Sequence, residues 1–135
     1  MVSRLLVAVF LVAHGAVHAL YFAPPPPATS GGPTWPFELG RSWILGPLGV
    51  NNEIGRVLGM ALIAVTIAGF ALAGLAALGI APSGIWPAAV TIGAVASLAL
   101  LGMFFDPWLL LGVAIDVGLV WLVLVADWAP EGVTP

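Results

Sequence analysis

"LLLGVAIDVGLVWLVLVADW", residues Leu109–Trp128, is almost wholly apolar, yet it carries Asp116 near its middle. On an insertion scale a central Asp costs about 2.5–3.5 kcal/mol, and each Leu, Ile, Val or Phe returns about 0.3–0.6 kcal/mol. Six Leu, one Ile and five Val lie between Leu109 and Val125, so even the low figure returns roughly 4 kcal/mol. The segment can therefore insert in spite of Asp116, and the carboxylate is expected to face protein rather than lipid. Gly112 sits one turn earlier on the same face, where a small residue lets another helix come close.

The rest of the chain agrees with this reading. Of 135 residues, 61% are hydrophobic and 7% charged, whereas a soluble domain carries about 25% charged residues. Cysteine is absent, which excludes disulfides, thiolate metal sites and thiol redox chemistry. The formal charge is −3, and there is no basic patch to hold nucleic acid.

Four stretches reach the length of about 20 apolar residues that a span needs. They are expected at 5–22, 53–80, 87–105 and 107–128. The PPPP of Pro24–Pro27 stops the first, because proline lacks an amide donor and clashes with the preceding turn. Asn51 or Asn52 can cap the second, and Gly79 can unwind its end. Pro87 suits a first helical turn, and Asp106 can cap the fourth helix. Trp108 and Trp128 are 20 residues apart, which is roughly 30 Å of helix; with Trp86, Phe105 and Tyr21 they are expected to mark the membrane interfaces. His14 and His18 interrupt the first apolar run and no A-x-A site follows, so an uncleaved span is expected rather than a signal peptide.

The expected fold is a single all-α domain: a four-helix transmembrane bundle with a long, partly interfacial link at 23–52. The links APSGIW and DP are short enough to force antiparallel neighbours. The first link opens as polyproline and then a flexible piece. It continues as TWPFELGRSWILGPLGV, read as a segment on or in the membrane surface. An even number of spans puts both termini on one side. Arg41 and Arg56 in and beside the link, against Arg4 at the amino terminus, leave that side undetermined.

Three residues stand out as a candidate intramembrane polar cluster: His14, His18 and Asp116. The i, i+4 spacing in AHGAVHAL puts both imidazoles on one helix face. They can hydrogen-bond neighbouring helices, join Asp116 or Glu53 in a proton-accessible cluster, or hold a metal, since two His and a carboxylate make an open metal site. They cannot both be axial ligands of one haem, because those approach from opposite faces. Glu53 and Arg56, three residues apart, are possible contributors, able to pair on one face. Gly55 with Gly59, and Gly93 with Ser97, have the spacing of helix contacts. No nucleotide loop, metalloprotease motif or nucleophile elbow is present, and the sequence specifies no cofactor.

VAHGAVHALYF in the first span, RVLGMALIAVTIAGFALAGLAALG in the second and FFDPWLLLGVAIDVGLVWLVL across the third and fourth together cover less than half of the chain. In these stretches it resembles small, uncharacterised four-span bacterial membrane proteins, and its topology is similar to that of DoxX-like proteins. The resemblance implies a bacterial cell membrane as the location and brings no activity or site residues.

Two function classes remain. In one, the protein is an accessory or assembly subunit packed on a larger membrane complex, or on further copies of itself; small size and sparse polar content favour this. In the other, it binds or moves a proton or a small molecule through His14, His18 and Asp116. The first class expects the polar side chains scattered or directed at a partner, the second expects them around one cavity. An enzyme stands third, because few catalytic groups are supplied.

Overall fold

The apolar runs wind into helices wherever proline and glycine permit. A computed structural model describes residues 2–27, 35–40 and 42–133. Helix α1 is Val2–Val17 and tightens into a 3-10 turn, His18–Phe22, before the proline run. Helix α2 is Asn52–Leu78. Helix α3 is Trp86–Met103, led by a 3-10 turn at Ser83–Ile85, and α4 is Leu110–Leu124, led by one at Pro107–Leu109. No strand occurs among the described residues. With their lead turns, four helices are long and apolar enough to cross a membrane, and the protein is an all-helical four-helix transmembrane bundle.

The helix ends follow local chemistry. Asn51 Oδ1 accepts from the Ile54 amide at 2.8 Å, and Asp106 Oδ1 from the Trp108 amide at 2.9 Å. Both satisfy amides that a helix start leaves free. Pro87 lies in the first turn of α3. Gly79 ends α2 at φ 77°, a left-handed conformation that costs glycine least. Beside it, Arg4 Nε donates to the Ala77 carbonyl at 2.5 Å, placing a cation at the negative end of α2.

The fourth helix stops at Leu124, short of the expected 128. The Val125 and Ala126 amides both turn back to the Trp121 carbonyl, the Trp128 amide reaches Leu122, and Asp127 takes φ 49°. This turn folds Trp128 back against Trp86, ring centroids 6.0 Å apart. Trp108 and Trp128 therefore do not measure one straight rod. Trp86, 1% exposed, and Tyr21, 7% exposed, are packed inside the protein.

Close backbone packing joins α1 to α2, α2 to α3 and α3 to α4. The α2–α3 seam is tightest at Gly69, where an added Cβ would lie 2.8 Å from Gly93 backbone atoms. On α1–α2, Gly15 receives Phe70 and Gly74 receives Val12. On α3–α4, Leu101 lies against Gly112. These contacts set four neighbouring helices in register. Counting along them brings His18, Thr66, Ser97 and Asp116 to about the same depth.

The link docks on the bundle end where α2 starts and α3 finishes. Ser42 Oγ donates to the Met103 carbonyl at 2.7 Å and Trp43 Nε1 to the Gly102 carbonyl at 2.7 Å, while Leu39 fills the space beside Gly59. Trp43 and Leu48 stay exposed. Residues 28–34, read above as the flexible piece, and Arg41 lie outside the described residues.

Candidate functional site: a buried polar chain

Helix α4 turns its surface inside out relative to a helix in water. Between Leu110 and Leu124 only Asp116 and Val123 are buried, while Leu111, Val117, Trp121 and Leu124 face outward. In lipid an outward Leu has no reason to hide, and the carboxylate has every reason. Asp116 is 0% exposed, and both of its oxygens are used. His14 Nε2 lies 2.8 Å from Oδ1, and Ser97 Oγ donates to Oδ2 at 2.5 Å.

Ser97 passes the chain onward, since its Oγ lies 2.8 Å from His18 Nε2. The other nitrogen of His18 completes it. His18 Nδ1 meets the His14 carbonyl, one turn back, at 3.1 Å. Phe70 packs against the His14 ring at 5.0 Å, and the two imidazoles stand edge to face at 5.7 Å.

Counting donors fixes how many protons the chain holds. A carbonyl only accepts, so His18 Nδ1 carries a hydrogen. Ser97 has one hydroxyl hydrogen to give. If it goes to Asp116, His18 Nε2 must donate, and His18 is an imidazolium beside a carboxylate. If it goes to His18, Asp116 must be protonated and donate to Ser97. Both patterns fit the same heavy atoms, and both leave His18, Ser97 and Asp116 neutral as a group. Neutrality is what a low-dielectric surrounding favours. In either pattern Asp116 Oδ1 accepts, so His14 presents Nε2–H to it and, as a neutral ring, keeps a lone pair on Nδ1.

The three residues singled out in the sequence thus lie in one hydrogen-bonded group, with Ser97, drawn from α1, the 3-10 turn that follows it, α3 and α4. Ser97, whose spacing from Gly93 is that of a helix contact, is the fourth member. Glu53 and Arg56 do not join. Both are exposed at the start of α2, and Arg56 is ten residues from Thr66, roughly 15 Å of helix below the polar depth. No ion pair links them among the described residues. As for metal, among the described residues no group of three or more His, Cys, Asp and Glu side chains is placed to hold an ion. The imidazoles aim Nε2 at oxygens and not at a common point.

A cleft of about 370 Å³ opens beside this chain, between α1 and α4, with His14, His18 and Gly112 among its walls. No family model, no curated protein and no solved structure matches this sequence.

Proposed function

We propose that this is a multi-pass protein of a bacterial cell membrane, with both termini on one side, that acts as a self-contained binding protein for a proton and a small molecule. The binding centre is His14, Asp116, Ser97 and His18. The observation that carries the reading is the continuous hydrogen-bond chain built from one protein's own side chains, at the wall of a cleft. An accessory subunit is expected to leave its polar groups scattered or directed at a partner. The two equivalent proton patterns let the site hold one proton shared between His18 and Asp116 without rearranging heavy atoms.

A proton inventory tests this. The protein in lipid nanodiscs, labelled with 15N-histidine, gives the protonation of His18 by NMR, and the carboxyl stretch assigned by Asp116→Asn gives that of Asp116 by infrared spectroscopy. Near neutral pH the expected result is either doubly protonated His18 with ionised Asp116, or neutral His18 with protonated Asp116. Neutral His18 beside ionised Asp116 would overturn the shared-proton centre. Purification from native membranes in mild detergent adds a second arm: a stoichiometric partner seated over α1 and α4 would favour the accessory role.

A further inference from the structure

Among the described residues, α1 and α4 are the neighbouring helices that backbone packing holds least closely. Among the described residues the hydrogen bond between these helices is His14 to Asp116. The cleft occupies this gap, and Phe10, Val17, Trp108 and Leu111 at its margin are all exposed. In a transmembrane bundle that margin faces acyl chains, so an occupant arrives sideways from the bilayer and is mainly apolar. The volume falls near the lower end of the range of about 300–1,000 Å³ typical of ligand pockets, room for one ring system and a short tail.

His14 supplies the polar wall. Its Nε2 is committed to Asp116, and Nδ1 takes part in none of the described hydrogen bonds. The ring retains 8% exposure, and Nδ1 is not among the sealed polar atoms that lack a partner. With the ring neutral, that nitrogen keeps a lone pair, so it asks its ligand for a hydrogen-bond donor and not an acceptor. Phe10 lies one turn away with its ring parallel to that of His14, 3° between planes and 6.0 Å between centroids. Phe10, an exposed ring on the cleft wall, offers an aromatic face to a flat guest.

We infer that the cleft takes a hydroxyl-bearing, ring-headed amphiphile dissolved in the bilayer, a phenol by chemical class, whose O–H donates to His14 Nδ1. This deepens the binding function proposed above and rests on it. Asp116 holds the imidazole from behind, in the manner of a carboxylate that orients a histidine for a hydroxyl.

The test is equilibrium binding to the full chain in nanodiscs, with radiolabelled 4-butylphenol compared with its methyl ether. The phenol should bind saturably, and the ether, unable to donate, about tenfold or more weakly. The 15N signal of His14 Nδ1 should move with the phenol and not with the ether. Ala13→Trp should abolish binding, because Ala13 is an exposed cleft residue outside the polar chain and its enlargement fills the gap. Equal binding of phenol and ether, no saturable binding of either, or indifference to Ala13→Trp would each overturn the inference. The proton inventory is taken without phenol. An intact inventory with no saturable binding therefore removes this occupant and leaves the proton-sharing centre standing.

Discussion

Replacing Ser97 by Ala removes one atom that serves two partners. Its hydroxyl donates to Asp116 and meets His18 Nε2, and all three residues are at most 2% exposed. The variant leaves Asp116 Oδ2 and His18 Nε2 without a partner in a space closed to water. A buried group stripped of its partner costs about 1–3 kcal/mol. Interhelical hydrogen bonds in membranes measure less, about 0.6 kcal/mol on average and about 1.7 kcal/mol at most. Ser97 makes two bonds, one of them short and charge-assisted in the ionised pattern, so the upper part of that range applies to each. The expected loss is about 2–3 kcal/mol, or roughly 30- to 150-fold in the unfolding equilibrium. Thr66→Val is the matched control: Thr66 is 0% exposed and its hydroxyl has no partner, so stability should stay within about 0.5 kcal/mol or rise. Equilibrium unfolding in mixed micelles, from dodecylmaltoside toward dodecyl sulfate, measures both. If Ser97→Ala falls no further than Thr66→Val, the polar chain is not a stabilising network and the reasoning fails.

Asp116→Asn should cost under about 1 kcal/mol, because an amide oxygen can accept from His14 while its NH₂ donates to Ser97, which reproduces the protonated pattern. Asp116→Leu should cost about 2–3 kcal/mol in the same unfolding assay by stranding His14 and Ser97. Gly69→Ala drives a Cβ into the Gly93 backbone and should destabilise by about 1–3 kcal/mol, with loss of thermal resistance followed by gel filtration in detergent. Arg4→Met removes the bond to Ala77 at the end of α2 and should cost about 1 kcal/mol, read as faster amide exchange at Gly79–Ala81.

Much of the architecture is written in short-range chemistry. Asn51, Asp106, Gly79 and Pro87 mark helix ends because capping depends on neighbours only a few residues away. Asp116 announces its own burial, since lipid leaves a carboxylate no tolerable outward position. His14 and His18 share a face by helical period alone. Ser97 escaped because a serine four residues from Gly93 has the spacing of a packing contact. Its meeting with Asp116 depends on the α3–α4 register, which Leu101 against Gly112 sets. The unwinding after Leu124 was hidden for a similar reason. Nothing local stops a helix at VADW, and it is the attraction of Trp86 for Trp128 across the bundle that rewards the turn. The docking of Ser42 and Trp43 on the last carbonyls of α3 is likewise a tertiary event.

Of these four helices, the one that carries the carboxylate of the polar chain is made last. A ribosome releases α1 and its 3-10 turn, with both imidazoles, before Asp116 is translated, and Ser97 arrives in between. Throughout that interval His14 is without its acceptor, and the polar chain stays open. It closes only when α4 packs against α1 and α3.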